Sequence, residues 1–232
     1  MPARSTGVAG LDRLIGGGVR EGQMVLLLAP PGSGKTLLCR EFAETGLEKG
    51  EAVLYVASNE SHDGFMKGMR ARNRKADCSK LYFIDLYSWR QPGEPPVQSA
   101  KLIALDSISN LSDVAQAVGN IAKSAGRFDR IVVDSLSDLA MYAEPASLYK
   151  LVQLLKGQAT KSSASSLVTL EYGLHDEKLN TTINFLCDGM IEMRTDKARQ
   201  LRVTRMCNQT HPLDWLDYTI SEGPKIELKG VA

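Results

Sequence analysis

The sequence predicts an α/β fold, a mostly parallel central sheet flanked by helices and extended at its C-terminal end by an antiparallel meander. Three observations carry that expectation. Apolar runs of strand length alternate with stretches of helical periodicity as far as Tyr172. A glycine-rich segment, Ala29 to Thr36 (APPGSGKT), joins the first such run to the first such helix. The last third of the chain changes character, with short strand patterns following one another across short turns.

The elements follow in order. Gln23–Ala29 (QMVLLLA) is almost continuously apolar, as a strand buried on both faces must be. Lys35–Glu48 places Leu37, Leu38, Phe42 and Leu47 at helical spacing and has Gly50 just beyond it. Ala52–Ala57 and Leu81–Leu86 are the next strands, separated by a basic helix over Phe65–Lys75. Gln91–Pro96 (QPGEPP) reads as a surface loop too short to link domains. Ser112 is placed to cap a helix carrying Val114, Val118, Ile121 and Ala125 and ending at Gly126. Arg130–Ser135 is a strand, Leu148–Gln158 a helix and Ser166–Tyr172 a strand. Gly189–Arg194, Gln200–Met206, Trp215–Ile220 and Lys225–Leu228 form the meander. No repeat or low-complexity run divides the chain, so residues 1–232 are expected to be one domain.

Composition bounds the partners. The 232 residues are 43% hydrophobic and 24% charged, with a net charge of +1 from 28 basic and 27 acidic residues. That total announces neither a polyanion nor an anionic membrane as partner. Cys39, Cys78, Cys187 and Cys207 lack the spacing of a zinc knuckle or a redox pair and are expected to be free thiols in a reducing compartment. MPARSTGVAG has no apolar signal core, and no run approaches the roughly 18 apolar residues of a membrane span, so a cytoplasmic location is expected.

The chemistry concentrates at APPGSGKT, which has the strand–loop–helix setting of a P-loop. Small residues let backbone N–H groups turn inward as an anion nest, and the following helix N-terminus adds its positive dipole end. Pro31, Gly32, Ser33, Gly34, Lys35, Thr36 and Leu37 are the expected nucleotide-binding residues. Lys35 is to reach the β- and γ-phosphates and Thr36 to ligate Mg²⁺. The usual first glycine is replaced by Ala29, a mild change because that position only starts the turn. Asp134 ends an apolar strand (IVVD) about a hundred residues on and is the expected second Mg²⁺ ligand, a Walker B element. Hydrolysis needs a group to position or deprotonate water, and Glu60, just beyond the second strand, is the candidate beside Lys35. A solvated loop carboxylate or helix cap is the competing role for Glu60.

The segment Ser5 to Leu38 (STGVAGLDRLIGGGVREGQMVLLLAPPGSGKTLL) resembles the opening of the KaiC/RadA-like branch of RecA-superfamily ATPases. The likeness runs on through Asp134-Ser135, Cys187-Asp188-Gly189-Met190-Ile191 and Arg202-Val203-Thr204-Arg205-Met206 … Tyr218-Thr219-Ile220, so it covers nearly the whole chain. It implies a RecA-like core, ATP held between neighbouring subunits of a homo-oligomeric ring or filament (a hexamer being one form), and Mg²⁺ on Thr36 and Asp134. Single-domain archaeal proteins related to KaiC share this pattern.

Three positions depart from the pattern. Where KaiC-like domains carry two adjacent glutamates, this chain has Asn59-Glu60, and Asn59 cannot serve as a base. The family's Lys-Met-Arg-Gly, which contacts a neighbour's γ-phosphate, reads Arg205-Met206-Cys207-Asn208, so Arg205 keeps the first cation and Cys207 removes the second. Asn184-Phe185 stands where the clock protein's autokinase has a Ser-Thr pair, so autophosphorylation is not expected.

Other residues carry less. His62, His175 and His211 lack metal-ligand spacing and are expected in loops, and Trp215 is expected to pack. Lys67, Arg70, Arg72, Arg74, Lys75 and Lys80 form either a solvated helix face or a contact to phosphates or a subunit. The stretch Tyr172 to Phe185, which matches a DNA-binding loop of recombinases, carries Asp176 and Glu177 against Lys178, and no counterpart of RadA's helical N-terminal domain is expected. The residues are compatible with three functions: a slow ATPase coupling nucleotide state to self-assembly or to a protein partner, a nucleotide-gated scaffold without turnover, and a recombinase paralogue on single-stranded DNA.

Overall fold

A computed structural model describes residues 2–72, 76–90, 98–221, 223 and 225–230. In chain order the elements are β1 (Ala3–Arg4), α1 (Ala9–Leu14), β2 (Val19–Arg20), β3 (Met24–Ala29), α2 (Lys35–Glu48), β4 (Val53–Ala57), α3 (His62–Ala71), β5 (Leu81–Asp85), β6 (Leu102–Ala104), α4 (Leu111–Ala125), β7 (Arg130–Asp134), α5 (Leu136–Tyr142), α6 (Pro145–Ser162), β8 (Ser165–Glu171), α7 (Glu177–Leu186), β9 (Gly189–Arg194), β10 (Gln200–Met206), β11 (Leu216–Ser221) and β12 (Lys225–Leu228).

Ten of these strands form one sheet in the order β12-β11-β10-β9-β3-β8-β7-β4-β5-β6. From β9 to β6 every neighbouring pair is parallel, and β9 through β12 pair antiparallel. The expected parallel sheet with its C-terminal meander is therefore the fold. β3 explains why its sequence is apolar throughout. Met24, Leu26 and Leu28 enter a core with Val114, Leu139, Leu151 and Ile183 from α4 to α7. Val25, Leu27 and Ala29 enter a second core on the other face with Leu11, Phe42 and Phe65 from α1 to α3, and with Val203, Tyr218 and Ile226 of the meander. Alternation of side chains across a doubly covered strand requires both sets to be apolar.

The opening segment is a structural clasp. Asp12 accepts hydrogen bonds from Ser5 Oγ (2.5 Å), Thr6 N (2.6 Å) and Thr6 Oγ1 (2.7 Å), while Leu11 is fully buried. Gly7 has φ +87°, and a Cβ there would lie 2.5 Å from Thr45 Oγ1 of α2, so only glycine fits.

Several expectations need correction. The cap of α4 is Asn110, whose side chain accepts from Ser112 N at 3.1 Å, so Ser112 is already inside the helix. α6 begins at Pro145 and runs to Ser162, because Pro at the first helical position starts a helix where apolar spacing is silent. Residues 177–186, read as loop, form α7, and Asp176 caps it by accepting from Leu179 N at 2.7 Å. The acidic pair Asp176–Glu177 thus serves a helix N-terminus. His62 opens α3 instead of lying in a loop, and its ring meets Phe83 edge-on at 5.3 Å. Trp215 lies just before β11, packed between the guanidinium groups of Arg194 (4.1 Å) and Arg202 (4.5 Å). The basic segment divides: Lys67 and Arg70 are exposed, whereas the Arg72 side chain is 3% exposed and pairs with Glu41 and Glu44 of α2. Arg74, Lys75 and the loop expected at 91–96 lie outside the described residues.

Candidate nucleotide site

The carboxyl ends of β3, β4, β7 and β8 open onto one cavity of about 870 Å³. This is where an open α/β sheet binds ligands, because the loops there diverge. The P-loop leaves β3 and turns onto α2, with Gly32 at φ +73° and Gly34 at φ +96°, conformations that disfavour any side chain. Pro31, Gly32, Gly34, Lys35, Thr36, Leu37 and Asp134 all line the cavity, joined by Arg40, Asn59 and Glu171. Ser33 is buried beneath the loop: its Oγ donates to Pro30 O at 2.8 Å, and its carbonyl accepts from the Tyr218 hydroxyl of β11.

Lys35 is 8% exposed, and its ammonium donates to Ala29 O (3.1 Å) and Pro30 O (2.9 Å) and pairs with Glu171 Oε2 (3.1 Å). Asp134 is fully buried, and its Oδ1 accepts from Thr169 Oγ1 at 2.8 Å. Its Oδ2 accepts from Asn59 Nδ2 at 3.0 Å, and the same nitrogen donates to Thr36 Oγ1, also at 3.0 Å. Because a carboxylate only accepts, the Asn59 amide must present its nitrogen here. The two oxygens expected to face Mg²⁺ therefore straddle one small electropositive group. That donor set, a hydroxyl and a carboxylate beside a phosphate cradle, fits Mg²⁺.

Glu60 does not line the cavity. Its carboxylate is ion-paired with Arg40, at 3.0 Å from Nε and closer still to Nη2, and Arg40 does line it. Burial raises the Glu60 carboxyl above its usual value, against the lowering influence of Arg40. Arg205 is at the other end of the strands. It pairs in register with Met190 of β9, whose neighbour Gly189 lies beside Val25 at the start of β3, whereas the P-loop follows the end of β3. Its guanidinium donates to Asn184 O, Asn184 Oδ1 (2.9 Å) and Cys187 O (2.8 Å). Within one protomer Arg205 is at the opposite end of the strands from the cavity.

The expectations missed Glu171 and Arg40 as cavity residues. Glu171 had a legible signal, since Leu167 to Glu171 (LVTLE) is an apolar strand ending in a carboxylate, as IVVD is. Arg40 had none, because a cation one turn into a helix reads as solvent-facing.

Residues 4–229 match the family model described as "ATPase: KaiC". The chain belongs to the KaiC family of ATPases. It is 25% identical over 230 residues to a UPF0273 protein of Saccharolobus solfataricus, covering 91% of this chain and 79% of that one. It is 26% identical to the circadian clock oscillator protein KaiC of Picosynechococcus sp., covering 94% of this chain but 41% of the clock protein. Among solved structures, a KaiC-like protein from Pyrococcus horikoshii superposes with a TM-score of 0.72 at 20% identity, covering 98% of this chain and 99% of that one, which shows the shared fold. Nucleotide binding and the P-loop ATPase class come with family membership. No helix among the described residues is long and apolar enough to cross a membrane.

Proposed function

We propose that this KaiC family member is a cytoplasmic, single-domain protein that binds Mg·ATP between neighbouring copies of itself and hydrolyses it slowly, so that nucleotide state governs its assembly or its hold on a protein partner. The observation that carries the slow turnover is Asn59. It faces Thr36 and Asp134 with an amide, where a carboxylate would be needed to accept a proton from water. In this reading the nest of the P-loop and Lys35 bind the phosphates, and Thr36 with Asp134 holds Mg²⁺. The ion would supply charge neutralisation for the phosphates there. Asn59, whose nitrogen now faces both oxygens, would have to give up those two hydrogen bonds to admit it. Glu60 is the remaining candidate base, and it becomes available only when its pair with Arg40 opens. In this reading Arg205, at the opposite end of the strands from the cavity, serves a neighbour's nucleotide and not its own.

The test is steady-state phosphate release from Mg·ATP across a range of protein concentrations, for wild type, Lys35→Ala and Glu60→Gln. Slow release that rises more steeply than protein concentration, and is lost in both variants, supports the proposal. Release proportional to protein concentration argues against a shared site. ATP binding with no release in any form leaves the nucleotide-gated scaffold as the function.

A further inference from the structure

The Lys35 ammonium has three N–H donors and, in this structure, three acceptors: Ala29 O, Pro30 O and Glu171 Oε2. Nothing is left over for a phosphate. Two of the acceptors are carbonyls of the loop itself, fixed by the backbone that forms the nest. The third is a charged side chain in the same cavity, with 20% of its surface exposed against 9% for Lys35. The pair is closely positioned by the sheet, since Ala29 and Glu171 are register partners on β3 and β8. The backbone on either side of the Glu171 side chain is held as well. Glu171 N donates to Ser137 Oγ at 2.7 Å, and Tyr172 N donates to Ala29 O at 3.0 Å.

We infer that Glu171 is a built-in competitor of the nucleotide for Lys35. The inference rests on the cavity being the nucleotide site. A terminal phosphate oxygen reaching Lys35 must displace one of its three acceptors, and the side chain of Glu171 is the one free to rotate. Its carboxylate is then left in the cavity facing the phosphate charge without its cation. Both effects weaken nucleotide binding; glutamine in place of Glu171 removes the repulsion and leaves only a weaker neutral acceptor for Lys35, and alanine removes both. With the backbone tied at Glu171 N and Tyr172 N, the exchange is confined to one side chain and is reversible. Empty Lys35 is thereby kept neutralised and ordered, at the cost of affinity, and weak binding lets the nucleotide leave.

The experiment measures Mg·ATP dissociation constants by calorimetry for wild type, Glu171→Gln, Glu171→Ala and Glu171→Asp, with far-UV circular dichroism to verify folding. The neutral variants are expected to bind about tenfold tighter or more, the effect of removing one opposing partly buried charge. Glu171→Asp, which keeps the charge, is expected to stay within about threefold of wild type. Two neutral variants are used so that misfolding of one leaves the other to decide. The inference is overturned if folded neutral variants bind like wild type or more weakly, or if Asp tightens binding as much as Gln does. Wild type failing to bind Mg·ATP at all would instead sink the nucleotide reading beneath it.

Discussion

At the scale of single residues, Asn59 and Glu171 set the character of this site. Asn59 bridges Thr36 and Asp134 with one nitrogen, so the hydroxyl and the carboxylate proposed to hold Mg²⁺ already share one electropositive neighbour. Replacing it by glutamate restores a carboxylate at the same strand end. Asn59→Glu is expected to raise steady-state phosphate release by about a hundredfold, the lower part of the range for a positioned general base. A second prediction concerns pH. Burial pushes the Cys187 thiol up to about 12 from its ordinary value near 9, with Asp188 adding to the effect. Its protonated form is favoured by folding, so its contribution to stability is complete below about pH 9 and is lost as pH rises through about 12. Urea unfolding of Cys187→Ala is expected to decline less steeply with pH across that window. Tyr218, also raised to about 12, acts with the same sign over the upper part of it.

At the scale of elements, the meander does more than extend the sheet. The Tyr218 hydroxyl of β11 donates to Ser33 O, and a Cβ on Gly34 would lie 3.2 Å from Ile220 Cδ1 of the same strand. The loop that cradles phosphate is therefore braced by strands almost two hundred residues away in the chain. Tyr218→Phe is expected to lower stability by about 1 kcal/mol, the usual net worth of one hydrogen bond, and to weaken Mg·ATP binding in the same calorimetric assay. Arg130 shows a similar dependence between β7 and its surroundings. Fully buried, it donates to Glu51 Oε2 (2.5 Å), Ser5 O (2.6 Å) and Phe42 O (2.8 Å), and lies 4.4 Å over the Phe42 ring. Arg130→Ala strips three acceptors of their donor and opens a cavity, and is expected to cost about 3–5 kcal/mol in urea unfolding. Long elements with a clear period, such as β3, α2, β9 and β10, were legible in sequence to within a residue. Short ones were not: β1, β2 and β6 have two or three residues each, too few to show a period. α5 and α7 were missed because polar caps at Ser135 and Asp176, not apolar spacing, start them.

At the scale of the whole molecule, the nucleotide cavity and Arg205 lie at opposite ends of the sheet strands, so one copy cannot complete its own site with that residue. Arg205→Ala is expected to lower phosphate release per subunit while leaving the apparent affinity of isolated subunits for Mg·ATP unchanged, as read by release assays beside calorimetry at low protein concentration. DNA is not an expected ligand. Asp176 and Glu177 are engaged at the N-terminus of α7, and Arg72 is buried in its pairing with α2. Filter binding at low salt should retain no single-stranded DNA, and retention that falls steeply with salt would reopen that function.

The sequence by itself determined the parallel sheet and the P-loop and singled out Thr36, Asn59 and Asp134 as candidates, because each is read from local periodicity and from where a strand ends. The tertiary structure alone decided what those residues face. It turned Glu60 toward Arg40 and brought Glu171 to Lys35 across the β3–β8 register. It also set Tyr218 under the P-loop and carried Arg205 to the opposite end of the strands. None of these contacts follows from local periodicity: Lys35–Glu171 and Ser33–Tyr218 join elements more than a hundred residues apart in the chain, and Glu60–Arg40 joins a loop to a helix. The strand order that allows them is set by how the whole sheet buries its two apolar faces.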